Sequence, residues 1–341
     1  MGKEFKGIKI GPACLVAGPC LVGGAMAFLI GKAFRYAGMI FKRDTGNFIE
    51  TLGAETPEMA ILNDEKERMG EELSKWSKEA PSKETWMDSH DGLALHARAF
   101  IQEERSAKWA IVVHGYAGSG LDMLKVAKRF YGMGFNVLLP DLRGHGESEG
   151  VCVGMGWHDR MDILGWACET ARNEPDSEIA LYGLSMGAAA VLMASGEELP
   201  ENVKCVVEDS GYTSVVDEFS HHLKETLHLP KFPILNTVGA FCSIWNGFSI
   251  AEASAVSQIR KCKTPTLFIH GGMDTLVPAE MAFELYEAAR CPKEIFIVPE
   301  AGHGVSESVA RDAYWARVKR FIEGCLEGGN GIWAQTEKAG C

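Results

Sequence analysis

The chain has 341 residues, 46% of them hydrophobic and 23% charged, and a net charge of −12. This length and apolar content suit one large α/β domain with insertions, or two small domains, and exclude a disordered chain. The acidic balance, with no dense basic block after residue 43, argues against nucleic acid, whose binding depends on clustered Lys and Arg.

From Ile10 to Gly31 run 22 uncharged, mostly apolar residues between Lys9 and Lys32. That is long enough for a helix to span the hydrocarbon core, which takes about 20 residues. Pro12, Pro19 and five glycines weaken a water-exposed helix but are frequent in membrane helices. Residues 1–43 are therefore expected to form a single N-terminal membrane anchor. Two other readings stay open: a cleaved signal with Ala25-Met26-Ala27 as its small-x-small site, and a buried core helix. The run is longer than a usual signal core and continues past that site. Lys3, Lys6 and Lys9 on one side face Lys32, Arg35, Lys42 and Arg43 on the other, so the charges give no sidedness. The myristoylation pattern fails because position 6 is Lys. Residues 44–84 are polar and helix-prone, Asn63 to Lys78 especially, and read as a helical linker.

The domain proper is expected over 85–325. Thr85 to Gln102 alternates through a turn at His90-Asp91-Gly92, as a β-hairpin does. Strands follow at 108–114, 135–141, 179–182, 203–208, 266–270 and 294–298. Helices are expected at 121–133, 157–172, 280–289 and 305–322, where Tyr314, Val318, Phe321 and Ile322 recur at helical spacing. Apolar strands alternating with helices predict a doubly wound, mostly parallel sheet. Residues 212–261 break that rhythm with apolar helical sequence and read as a cap over the strand ends. His221, His222 and His228 lie there without a carboxylate or Cys at matching spacing, so no metal site is expected. Ten cysteines are scattered with no C-x-x-C pair, and most read as buried small hydrophobes. Residues 326–341 read as a flexible tail.

The chemistry centres on Gly183-Leu-Ser-Met-Gly187, between an apolar strand and Ala188-Ala-Ala190. Strand, sharp turn and helix around G-x-S-x-G lift a serine hydroxyl above the end of a sheet. A serine hydroxyl needs a base, the base needs an orienting acid, and the oxyanion needs backbone N–H donors. Asp274 follows the strand at 266–270, and His303 follows the strand at 294–298. Ser185, Asp274 and His303 are thus the expected catalytic residues, with the N–H groups of Tyr116 and Met186 as the oxyanion hole. Asp209 stays open as a rival acid, and His270 and His145 as rival bases. Glu208 and Asp209 are expected to hold strand-end loops, and Asp141 and Arg143 to form an ion pair.

His114-Gly-Tyr116, Asp141-Leu-Arg-Gly-His-Gly-Glu-Ser148, Gly183–Gly187, His270-Gly-Gly-Met-Asp274 and Gly302-His-Gly304 resemble the α/β-hydrolase superfamily. Within it the chain resembles membrane-anchored bacterial hydrolases and the serine-aminopeptidase-like (S33) group, over roughly residues 80–325. The resemblance implies an α/β-hydrolase fold and a cofactor-free Ser-Asp-His mechanism, and leaves the substrate open among esters, lipids and peptides. An ester hydrolase acting on a small acyl or aryl ester is expected, because the cap is apolar. An aminopeptidase or amidase is the alternative, with Glu218 and Glu225 as candidate amine anchors. An acyltransferase using the same residues and a non-catalytic, membrane-tethered binding module complete the alternatives. No cofactor, metal or nucleotide is expected, and the N-terminal segment is the expected membrane contact.

Overall fold

The computed structural model describes residues 27–35, 37, 38, 40–43 and 57–326. Most of the expected anchor, the first part of the linker and the tail beyond Leu326 lie outside the described residues. Eight strands form one sheet in the order β1-β2-β4-β3-β5-β6-β7-β8. They are β1 (Ser82–Asp88), β2 (Ala94–Phe100), β3 (Lys108–Val113), β4 (Asn136–Pro140), β5 (Glu178–Leu184), β6 (Val203–Asp209), β7 (Thr266–Gly271) and β8 (Lys293–Val298). β1 and β2 make the expected antiparallel hairpin, and β2 runs antiparallel to β4. The remaining pairs are all parallel.

The inner strands read as unbroken apolar runs because both faces of the sheet are covered. Ile111, Val113, Ile179 and Leu181 point into one core, with the helices Asp159–Asn173 and Met186–Ala194. Ala110, Val112, Ala180 and Tyr182 point into the other, with the helices Leu124–Gly132 and Asp312–Leu326. Each fully buried Ile, Leu or Val contributes roughly 1.5–3 kcal/mol relative to exposure.

Between β6 and β7 the chain forms the helices Val215–His221, Lys231–Trp245 and Ala255–Ile259. Their buried faces, including Phe219, Phe241 and Ile259, join the first core.

Four features differ from expectation. The stretch read as a linker is a helix over Pro57–Glu79 that lies against the domain. Its Trp76 stacks on Phe100 at 4.7 Å, and its Glu65 pairs with Lys125 at 2.8 Å. The boundary expected at residue 43 falls inside packed structure, since Ala33, Ala37, Ile40 and Phe41 are buried in the first core. The last helix is two, Ser306–Ala310 and Asp312–Leu326, broken at Arg311, whose φ is 41°. Asp141 and Arg143 do not pair: Arg143 is held by Asp162 (2.7 Å) and Asp91 (2.8 Å). Asp141 instead accepts from Gly120 N, Glu147 N and His96 Nδ1.

Candidate active site

The topology picks one place on the sheet. From β3 the chain crosses outward to β4, and from β5 it crosses the opposite way to β6, although β3 and β5 are neighbours. The C-terminal ends of two such strands open onto a crevice between diverging connections, the usual ligand position in open α/β sheets. Ser185 immediately follows β5, and the loop carrying Gly115 and Tyr116 leaves β3.

Ser185 adopts φ 55°, ψ −119°, a conformation side chains rarely take, and the helix Met186–Ala194 begins immediately after it. Two glycines make the turn sterically possible. A Cβ on Gly183 would overlap the carbonyl of Gly187, and one on Gly187 would overlap the carbonyls of Val113 and His114. The Ser185 N–H donates to the Asp209 carbonyl at 2.8 Å, pinning the elbow to the neighbouring strand. Met186 is the first helical residue, so its N–H belongs to the donors a helix leaves unpaired.

His303 lies between β8 and the helix Ser306–Ala310, and its ring bridges the other two expected residues. Nε2 lies 2.8 Å from Ser185 Oγ, and Nδ1 lies 2.7 Å from Asp274 Oδ2. Asp274 sits in the loop after β7. Its Oδ1 accepts the backbone N–H groups of Leu276 (3.0 Å) and Val277 (2.8 Å), which fix the carboxylate plane. Burial works against ionising Asp274, but the charges and hydrogen bonds of His303 and His270 outweigh it and hold the carboxyl well below the usual range. Burial likewise works against charging His303, and Asp274 outweighs it, so the imidazole pKa is raised above 6.5. With an ionised carboxylate at Nδ1, that nitrogen carries the proton and Nε2 keeps its lone pair for the Ser185 hydroxyl.

The rivals have other partners. Asp209 accepts from the Tyr314 hydroxyl (2.8 Å) and the Ser210 hydroxyl (2.9 Å). His145 accepts from Ala117 N and donates from Nδ1 to the Arg143 carbonyl, bracing the loop beside Tyr116. His270 stands behind Asp274: its Nε2 lies 2.8 Å from the Val277 carbonyl, so it carries a proton there, and 3.3 Å from Asp274 Oδ2. Glu208 accepts from Gly211 N at 2.9 Å and so holds the loop after β6.

The sequence pattern missed two contacts around this site. Tyr116 donates its hydroxyl to the Ile40 carbonyl at 2.9 Å, tying the loop beside the elbow to the N-terminal segment. Glu218 is buried in the cap with Oε1 3.3 Å from His222 Nε2 and no partner for Oε2. The Glu218–His222 spacing of four was the readable signal, and it corrects the expectation that no carboxylate accompanies these histidines. His221 faces the Thr275 carbonyl and His228 that of Lys224, so the three do not converge. Glu225, the other candidate anchor, is exposed and paired with Lys224 at 2.6 Å. Among the described residues His90, Asp91 and Asp162 offer a metal-like cluster, but the Arg143 guanidinium already bonds both carboxylates. A depression of about 530 Å³ lined by Met69, Lys125 and Trp315 includes none of the expected site residues.

Residues 105–231 match the family model for serine aminopeptidase, S33. YqkD of Bacillus subtilis is 28% identical over 215 residues, covering 62% of this chain and 70% of its own. The membrane protein YNL320W of Saccharomyces cerevisiae is 25% identical over 227 residues, covering 65% of this chain and 73% of its own. The Pyrococcus furiosus esterase Pf2001 superposes with a TM-score of 0.60 and 25% identity, over 74% of this chain and 92% of the esterase. The sheet order, the strained serine between strand and helix, and these likenesses together show that the chain has the α/β-hydrolase fold.

Proposed function

We propose that the protein is a serine hydrolase that cleaves carboxylic esters through Ser185, His303 and Asp274. The observation that carries this is the ring of His303, within hydrogen-bond reach of the serine hydroxyl on one side and the carboxylate on the other. Ser185 Oγ attacks the acyl carbonyl while His303 Nε2 takes its proton, and the tetrahedral oxyanion turns toward the N–H groups of Met186 and Tyr116. The imidazolium returns that proton to the departing alkoxide, leaving an acyl-serine. Water, deprotonated by the same Nε2, releases the acid and restores the hydroxyl. Asp274 keeps Nδ1 protonated throughout and stabilises the transient imidazolium.

A small acyl or aryl ester suits the apolar cap, and the esterase likeness supports that class. Glu218 favours a second reading. A buried carboxylate oxygen without a donor in the cap is a group that would bind a substrate amine, as an aminopeptidase or amidase needs. The 10–31 run supports attachment to a membrane, although among the described residues no helix is long and apolar enough to cross one. A fluorophosphonate probe should label the wild type and not Ser185→Ala, and labelling that survives in the variant would refute the assignment. Turnover of a p-nitrophenyl ester against an aminoacyl anilide, in the wild type and in Glu218→Gln, separates the two substrate classes.

A further inference from the structure

From Phe232 to Ala251 there is no charged residue, a 20-residue interval in a chain that is 23% charged. Most of it belongs to the cap helix Lys231–Trp245, and that helix is not enclosed. Phe232, Asn236, Ala240, Ser243, Ile244 and Trp245 all face outward, with Ile244 69% and Trp245 53% exposed. A helix lying against water carries charge on its outer face. Here the outer face is apolar or neutral beyond Lys231.

The helical segment 27–35 lies beside it. Its Phe34 ring stands edge-on to Phe241 at 5.9 Å and to Trp245 at 6.1 Å, and its Phe28 is 64% exposed. Residues 41–43 strap this segment down: Arg43 donates to the carbonyls of Ser148 and Gly146, each at 2.7 Å, and Val153 N donates to the Phe41 carbonyl. Lys32 and Arg35 on this segment and Lys42 and Arg43 in the strap are exposed, a local excess of positive charge on a chain of −12.

An uncharged, aromatic-bearing face beside a cluster of cations complements one surface in particular, a bilayer with anionic headgroups. We propose that the outer face of the cap helix, together with segment 27–35, rests on such a bilayer, with Trp245 at the headgroup level. The inference builds on the N-terminal attachment proposed above and adds a second contact, made by the cap itself. It also deepens the substrate reading. Ile40, five residues beyond the docked segment, accepts from Tyr116 in the loop beside Ser185, which ties that loop to the membrane-facing side, so the enzyme takes esters dissolved in the lipid phase.

The test uses the full chain in phosphatidylcholine vesicles containing phosphatidylglycerol, with lipids brominated near the headgroup. The Trp245 signal, isolated by difference from Trp245→Phe, should be quenched. In Ala240→Glu/Ile244→Glu the quenching should disappear, and KM for a vesicle-dissolved long-chain ester should rise roughly tenfold, about 1.4 kcal/mol of lost partitioning. KM for a water-soluble acetate ester should not move. An unquenched Trp245 beside normal Ser185-dependent turnover overturns the docking and leaves the hydrolase reading intact. A dimer that Ile244→Glu splits assigns the face to a second copy and also overturns it. If neither ester is turned over by the wild type, the hydrolase reading fails, and the quenching still decides the docking.

Discussion

Asp274→Asn isolates the geometry on which the mechanism rests, because it changes one hydrogen-bonding pattern and almost no volume. The carboxylate receives two backbone N–H groups at Oδ1 and the rings of His303 and His270 at Oδ2. An asparagine has a single oxygen to offer. The N–H groups of Leu276 and Val277 can only donate, so the amide oxygen stays with them and the NH2 turns toward His303. That NH2 donates to Nδ1 and moves the imidazole proton to Nε2, where it meets the Ser185 hydroxyl and cannot accept its proton. The expected loss in kcat is about 10⁴-fold, or about 5.5 kcal/mol of transition-state stabilisation. Steady-state hydrolysis of a p-nitrophenyl ester measures it, with thermal unfolding as the control for folding. Asp209→Asn should change kcat by less than about tenfold, because its carboxylate serves Tyr314 and Ser210 rather than the base. If the two variants showed the opposite pattern, the orienting acid would be Asp209 and the reasoning would be wrong.

Two further outcomes follow from the same contacts. His303 must be neutral to act as base, and Asp274 holds its pKa above 6.5, so kcat/KM should climb with pH through a limb above that value. Positive charge on His270, which Asp274, Glu208, Asp209 and His303 surround, pulls His303 the other way. His270→Gln should therefore move the limb upward, and an unmoved limb would mean that His270 only packs. Phe41 is fully buried, edge-on to Phe219 at 5.6 Å and beside Phe241 at 6.3 Å. Phe41→Ala should cost about 3–5 kcal/mol in urea unfolding, and removal of residues 1–43 should be at least as damaging. A cost below about 1 kcal/mol would mean that the N-terminal segment is separable after all.

The elements were legible where burial on two faces forces a continuous apolar run. Ala180-Leu-Tyr182 and Thr266–His270 are such runs, and their ends were read to within a residue or two. The elbow was legible for a steric reason, since only glycine fits at 183 and 187. The break at Arg311 was not, because the apolar periodicity carries across it. Nor was the docking of the helix Pro57–Glu79, whose composition is that of a solvated helix. Its attachment depends on Trp76 and Glu65 meeting Phe100 and Lys125, far along the chain.

What the residue order determined by itself was local: which serine stands on a sharp turn, and which acids and histidines follow strand ends. Those statements depend on propensities and contacts within a few residues, so they can be read in line. Tertiary structure alone decided which acid faces His303, that Arg143 belongs to Asp162 and not Asp141, and that Ala33, Ala37, Ile40 and Phe41 are core. Each of these depends on which strand lies beside which and on the direction a side chain takes there. In the sheet, β6, β7 and β8 are neighbours, so the ends of β6 and β7 both lie near the loop after β8. Asp209 turns toward the helix carrying Tyr314, whereas the loop after β7 turns Asp274 back toward His303, and no spacing in the sequence encodes that choice.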